Sequence, residues 1–113
     1  MTTSIKVQRE TYEKDGKQYH AYFIEGVLRG IPFRAGVKPP DFGGYTVLDI
    51  VYAGGNCADL VVTPYEIKTE DGNVIAGNTY AVQTADEATG EIYSCKVVPS
   101  RQSDKALLGM LFR

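Results

Sequence analysis

The sequence predicts an all-β fold, mainly antiparallel, built as a small barrel or sandwich of about seven strands with one short C-terminal α-helix. Short runs of β-branched and aromatic residues recur along the chain, and Gly, Pro, Asp and Asn separate them. Only the end of the chain changes to helical spacing. With 113 residues, of which 43% are hydrophobic, there is enough apolar material for one core, so residues 1–113 are expected to form a single domain.

The first half of the chain predicts three consecutive strands. Asp15 and Gly16 mark a tight hairpin turn between the first two, because both residues tolerate positive φ. Gly26 interrupts the second run and predicts a bulge or bend, and Pro32 removes a ladder donor from the third, which predicts an edge or irregular strand. The predicted strands are residues 4–12, 18–28 and 31–37.

Four further strands are predicted after a loop at residues 38–44. The most strand-like segment is YTVLDIVY, because its apolar residues alternate on two faces. Asp49 in that segment must find a donor or reach solvent, since an unpaired buried carboxylate is costly. Pro64 predicts an edge position or a bulge in the next strand. These predicted strands are residues 45–52, 58–68, 74–84 and 91–98.

The last segment, about residues 103–112, predicts an amphipathic helix. Ser103 can cap its first turn, and Asp104 places a negative charge at the positive end of the helix. Leu107, Leu108 and Leu111 form one apolar stripe. Because an isolated helix this short is marginal in water, the stripe is expected to pack on the β body or on a partner subunit.

Charge and cysteine content narrow the functional classes. The net charge of −2 and the pI near 5.3 argue against a protein that coats nucleic acid by bulk electrostatics. Cys57 and Cys95 stand far apart, with no CxxC pair, so both are expected to be reduced thiols, with neither a disulfide nor a structural metal site. The first residues lack the apolar stretch of a signal peptide, and no later segment has the length of a membrane span, which predicts a cytoplasmic protein.

Residues that could carry catalysis do not form a recognisable motif. His20 is the lone histidine, and no flanking motif pairs it with Cys57 or Cys95 as a catalytic dyad. The glycine pairs at 43–44 and 54–55 are not followed by the Gly-Lys-Ser/Thr ending of a phosphate-binding loop. We therefore expect no enzymatic activity, no cofactor and no metal.

Aromatic and basic residues are interleaved in the N-terminal part of the chain. Residues 1–40 carry seven basic and four acidic side chains, a local balance of +3. Small β-barrels hold single-stranded nucleic acid with such a mixture, because bases stack on rings while Lys and Arg follow the phosphates. A binding module for single-stranded DNA or RNA is the first functional hypothesis. Its predicted contact residues are Lys17, Tyr19, Tyr22, Arg29, Arg34 and Lys38.

A protein-binding module is the alternative hypothesis, and the acidic net charge suits it better. Such a module would be an inhibitor or a subunit of an assembly, for example a phage particle, or would associate with copies of itself. It would use the C-terminal helix or an edge strand. The chain resembles OB-type barrels in size and strand number alone, and a fold does not determine a function.

Overall fold

Two successive units of three strands and a helix make up the computed structural model, which describes residues 2–55, 57–86 and 88–112. Within those residues there are six strands and two helices. All strand pairs are antiparallel. The elements are β1 (Thr2–Lys14), β2 (Lys17–Leu28), β3 (Ile31–Lys38), α1 (Gly43–Ala53), β4 (Cys57–Lys68), β5 (Val74–Ala85), β6 (Ile92–Pro99) and α2 (Gln102–Leu111).

The strands form a ring in the order β1-β2-β3-β6-β5-β4, and β4 pairs back with β1. The junction of β3 with β6 is short, since it pairs only Val37 with Pro99 and Lys38 with Val98 among the described residues. The backbone N–H of Ser100 adds one hydrogen bond to the carbonyl of Gly36, at 2.9 Å. The ring is therefore only weakly joined at one place. An OB-type barrel has five strands, so the resemblance does not extend beyond small size.

One face of each strand supplies the core. Successive side chains alternate between the two faces of a strand, and the described side chains that are buried on the inward face are apolar. Together with residues of both helices, these side chains form a single buried cluster. Its largest fully enclosed members are Ile24, Leu48, Leu60, Leu108, Val7, Val37, Val82 and Val97.

The helix α2 lies beside β3, in the gap that the short junction with β6 leaves. At one end of α2, a carboxylate oxygen of Asp104 lies 3.0 Å from the position of a Cβ on Gly36. At the other end, Arg29 Nη2 donates to the carbonyl of Leu111 at 2.6 Å. The ring of Phe112 meets that of Phe33 edge to face, with centroids 6.1 Å apart. The helix thus closes the wall with side chains where strand pairing stops.

The helix α1 packs beside β6 in a similar way. Gly44 lies so close to Pro39 and Cys95 that any side chain at position 44 would collide with Pro39. Leu48 and Val51 are buried on the same side of the helix. A glycine at position 44, the second residue of the helix, is therefore required for its close contact with the chain that precedes it.

The prediction of a strand at residues 45–52 was wrong, because this segment belongs to α1. The described chain accordingly has six strands rather than about seven, and a helix besides the C-terminal one. The buried positions of α1 are Gly44, Leu48 and Val51, at the helical spacing of four and three residues. The β-branched and aromatic composition concealed this pattern, and packing on the sheet overrode local propensity.

Several local predictions are confirmed. Asp15 and Gly16 form the first hairpin turn, with φ of 53° and 75°. Pro64 lies past the last β1–β4 pair, Thr2 with Val61, so it occupies a free edge of β4. The strand β3 is an edge strand over most of its length.

The bulge expected at Gly26 is absent from the β2–β3 ladder. The ladder continues through the pair of Gly26 with Phe33, and the ring of Phe33 lies over the glycine.

The predicted C-terminal helix is confirmed, but its cap is not the one expected. The helix begins at Gln102, and the backbone N–H of Arg101 donates to Asp104 Oδ2 at 3.2 Å. Ser103 lies inside the helix, so it is not the cap residue. Leu108 and Leu111 are buried against the β body, as the apolar stripe predicted.

Replacing Leu108 by Ala should lower the free energy of unfolding by about 2–5 kcal/mol, because the side chain is fully buried and the change leaves a cavity. The matched control is Met110→Ala in the same helix, where the side chain is 58% exposed and a change near zero is expected. Chemical denaturation of both variants measures the difference. Equal midpoints for the two would contradict the packing described for α2.

Stability should fall at high pH because of Tyr22. Burial, followed by the hydrogen bond to Asp49, raises the pKa of this tyrosine to about 12. The folded-state pKa thus exceeds the unfolded value of about 10, so its contribution is fully present below about pH 10 and is lost between about pH 10 and 12. Denaturation at about pH 9 and about pH 11.5 should show a smaller loss of stability in Tyr22→Phe than in the wild type.

Tyr12→Phe is the control for this experiment, because Tyr12 is 47% exposed. It should keep the wild-type dependence on pH. If Tyr22→Phe also keeps the wild-type dependence, the phenol of Tyr22 is not the group whose ionisation weakens the fold.

Candidate interaction surfaces

The six residues predicted to bind nucleic acid do not all lie on one face of the sheet. Lys17 and Tyr19 lie near the turn between β1 and β2, where every residue from 10 to 20 is exposed. Arg29 occupies the turn between β2 and β3, at the opposite end of β2, and Lys38 is the last residue of β3. By strand alternation and register, Lys17, Tyr19, Arg34 and Lys38 lie on the outer face of β2 and β3, whereas Tyr22 lies on the inner face and Arg29 in the turn.

Tyr22 points into the core, so its ring is not available for stacking with a base. It is only 4% exposed. Its phenol donates to Asp49 Oδ1 at 2.5 Å, and Arg9 Nη1 donates to the same oxygen at 3.2 Å. The carboxylate of Asp49, which was expected to need a donor or solvent, therefore accepts from two donors. Because Asp49 belongs to α1, the bond from Tyr22 joins this helix to the sheet. Tyr22, which the sequence placed among the contact residues, lies on the inner face because the even-numbered residues of β2 face inward.

Two of the predicted arginines are occupied by contacts within the chain. Arg29 is bound to the carbonyl of Leu111, at the C-terminal end of α2 where a cation is favourable. Arg34 forms ion pairs with Glu10 at 2.7 Å and with Glu25 at 3.2 Å. Its guanidinium also lies over the ring of Phe23, 4.2 Å from the centroid. Both charges are largely satisfied inside the fold.

A smaller aromatic and basic cluster remains at the end of the β1–β2 ribbon, defined as residues 10–20. Tyr12 and Tyr19 are a cross-strand pair whose rings stack, with centroids 5.6 Å apart. Lys14 and Lys17 are the next pair on the same face. Tyr12 was missed in the sequence because it was counted as the end of a strand. The two lysines and the two exposed rings are adjacent only through the hairpin register.

The β4–β5 ribbon, defined as residues 63–79, has a different surface. Its outer face carries no charged side chain among the described residues; the side chains there are those of Thr63, Tyr65, Ile67, Ile75, Gly77 and Thr79. Ile67 and Ile75 are paired and are 54% and 51% exposed. Tyr65, 41% exposed, lies across Gly77. An apolar surface thus stands on a hairpin that projects past the core.

A groove of about 1210 Å³ runs beside this ribbon. One wall is the edge of β5, and the opposite wall is formed by the end of β6 and by α2, including Pro99, Gly109 and Phe112. Asn78 spans it by donating from Nδ2 to the carbonyl of Phe112 at 2.8 Å. The charged side chains along the groove are those of Glu66, Lys96 and Lys105.

A second concave surface, of about 920 Å³, lies between the start of β1, the β2–β3 hairpin and the start of β4. Its charged side chains have both signs: Lys6, Arg34, Glu25 and Asp59. The exposed thiol of Cys57 lies on its wall. This mixture shows no preference for a ligand of either charge.

Among the described residues, the histidine and the two thiols have separate surroundings. The Nδ1 atom of His20 lies 3.0 Å from the hydroxyl of Thr11 on the β1–β2 ribbon. Cys57 pairs with Lys6 in the β1–β4 ladder. Burial raises the pKa of the Cys95 thiol to about 11, which keeps it protonated at neutral pH. Across the described ranges, no three His, Cys, Asp or Glu side chains cluster closely enough to hold a metal ion.

No match to a known protein indicates what these surfaces bind. In the part of the chain that the structure describes, neither α1 nor α2 nor any other helix has the length and apolarity needed to cross a membrane. No protein-family model matches the chain, and no curated protein or solved structure is similar enough to match it.

Proposed function

We propose that this chain is a non-enzymatic binding module whose ligand is another protein, held against the β4–β5 ribbon. The observation that carries the proposal is the outer face of that ribbon, where Tyr65, Ile67 and Ile75 are about half exposed on a surface without charge. Contiguous apolar patches of this kind are uncommon on a soluble monomer and mark sites of association. The free thiols of Cys57 and Cys95 suit a reducing compartment, so we place this activity in the cytoplasm.

The composition of this face fits a protein partner better than a nucleic acid. The centre of a protein interface is depleted in charged residues and enriched in Tyr. A nucleic acid needs cations to neutralise its phosphates, and the outer face of the ribbon offers none among its described residues.

The other ribbon shows that the fold itself does not require an uncharged face. The β1–β2 ribbon is built in the same way, from the far ends of two paired strands. Its outer face carries Glu10, Lys14 and Lys17 beside the tyrosines. The absence of charge among the described residues of its outer face therefore distinguishes the β4–β5 ribbon from the β1–β2 ribbon.

Photo-crosslinking tests the proposal. A benzophenone amino acid at position 75 should give a crosslinked product in native cells, whereas the same group at position 92 should not, although Ile92 is even more exposed, at 65%. The crosslinked protein, once purified, should bind the wild type. Ile67→Lys should weaken that binding by about tenfold or more, because it places a charge in the interface. Identical products from positions 75 and 92 would contradict the proposal.

Single-stranded nucleic acid remains a second candidate because of one observation, the stacked Tyr12–Tyr19 pair next to Lys14 and Lys17. Exposed rings accept bases by stacking, and adjacent lysines contact phosphates. Glu13 and Asp15 lie in the same ribbon and oppose a polyanion. This site is smaller than the groove expected from the sequence, and it excludes Tyr22, Arg29 and Arg34.

Fluorescence anisotropy with a labelled single-stranded oligonucleotide tests this candidate. If it is correct, binding weakens as salt rises, Lys17→Ala reduces the salt dependence by about one contact, and Tyr19→Ala costs about 1–3 kcal/mol without changing that dependence. Tyr65→Ala is the matched control, since Tyr65 and Tyr19 are equally exposed at 41%. No saturable binding at tens of micromolar protein would remove nucleic acid from consideration.

A further inference from the structure

The strand β5 has a free backbone edge over residues 74–79. It pairs with β4 along residues 74–83, but its pairing with β6 begins only at Tyr80. Beyond Pro99 the chain leaves the sheet and enters α2. The position that β6 would occupy is therefore open beside residues 74–77, where the groove of about 1210 Å³ lies, and at its inner end the side chain of Asn78 bonds to Phe112.

The hairpin register shows which groups face this opening. The backbone N–H of Thr69 donates to the carbonyl of Asn73 at 2.8 Å. Hydrogen-bonded and non-hydrogen-bonded pairs alternate along an antiparallel ladder. Residues 75, 77 and 79 therefore exchange hydrogen bonds with β4, whereas Val74, Ala76 and Asn78 direct their backbone N–H and C=O groups toward the open side.

This edge lacks the features that usually prevent strands from pairing with another molecule. Exposed edges are generally protected by charge, by proline or by a bulge. Residues 74–79 read VIAGNT and pair with β4 without a break. The free edge of β4, by contrast, contains Pro64, Glu66 and Lys68, and that of β2 contains Lys17 and His20. Compared with these two edges, that of β5 is unprotected.

We propose that this edge pairs antiparallel with the same edge of a second copy of the chain, so that two β4–β5 ribbons join across a twofold axis. The proposal rests on the proposed function and names the partner. A twofold axis brings each residue near its own counterpart, so a charged edge would repel itself. Residues 74–79 carry no charge, and their self-pairing meets no such repulsion.

The ribbon also gains stability from this pairing. A two-stranded ribbon that extends past the core is marginal in water, whereas three or more strands with an apolar face are stable. Self-pairing makes one four-stranded sheet from two ribbons. It places Ile75 of both copies on one face, beside Tyr65 and Ile67 of each. The charged groups along the groove, Glu66, Lys96 and Lys105, include both signs, so a second copy does not bring only like charges together.

Sedimentation velocity tests self-pairing directly. The wild type, at 12.4 kDa per chain, should shift with rising concentration toward a species of twice that mass. Ala76 is the middle one of the three residues that face the open side, so the proposed axis passes beside it. Ala76→Lys places a charge at this axis and should raise the dissociation constant of the dimer by about tenfold or more. Gln18→Lys is the matched control, because it adds the same charge to the free edge of the β1–β2 ribbon, and it should leave the dimer unchanged.

A second measurement guards against a variant that simply misfolds. Ala76→Pro removes a backbone N–H that points to the open side, as Pro64 does on β4, and it should dissociate the dimer without changing the circular dichroism spectrum. In the wild type, hydrogen exchange at Val74, Ala76 and Asn78 should slow as concentration rises. A dimer that persists equally in Ala76→Lys and Ala76→Pro would overturn the proposal, because its interface would lie elsewhere.

The outcomes also separate self-pairing from the proposed function. A wild type that stays monomeric up to hundreds of micromolar overturns self-pairing. If the benzophenone at position 75 then captures a different protein and position 92 does not, the proposed function stands with another partner. If neither a dimer nor a specific product forms, both proposals fail.

Discussion

The short junction between β3 and β6 is the constraint on which the rest of the structure depends. Two residue pairs join these strands, so hydrogen bonding alone cannot enclose the core along their remaining length. The helices cover the core where strand pairing stops: α2 packs beside β3, and α1 packs beside β6. Their burial is therefore part of the wall and not an addition to a finished barrel, and it explains why Leu48 and Leu108 are as fully enclosed as the strand residues.

The pairing of β1 with β4 has the complementary effect on the surface. These strands meet near their N-terminal ends, from Thr2 with Val61 to Lys6 with Cys57. Their other ends then diverge, each carrying its hairpin partner away from the core. The fold thus presents two similar ribbons that carry different side chains. The β1–β2 ribbon carries charges and stacked tyrosines, and the β4–β5 ribbon carries isoleucines and an unprotected edge.

Local turn chemistry and alternation made most of the fold predictable. Asp15-Gly16 specifies a tight turn by its tolerance of positive φ, and Leu107, Leu108 and Leu111 specify a helix by their spacing. The segment at residues 45–52 was not predictable in the same way, because its β-branched and aromatic composition favours a strand, whereas its burial follows a helical period set by the packing partner. Interaction residues were harder still. Whether Tyr22 or Tyr19 faces solvent depends on which face of β2 is inward, and both faces carry aromatic residues.

The elements that enclose the core lie far apart in the sequence, and this affects the order in which the chain can fold. Each unit of three strands and a helix contains its own hairpins, whose contacts are local and form early. The helices, however, also depend on the other unit: α1 packs mainly beside β6, and α2 packs against β3 as much as against β6 of its own unit. The first unit to leave a ribosome therefore has an apolar helix face that β1 covers only in part. Completion of the core must wait for β6 and α2, so the chain folds as one cooperative body and not as two successive halves.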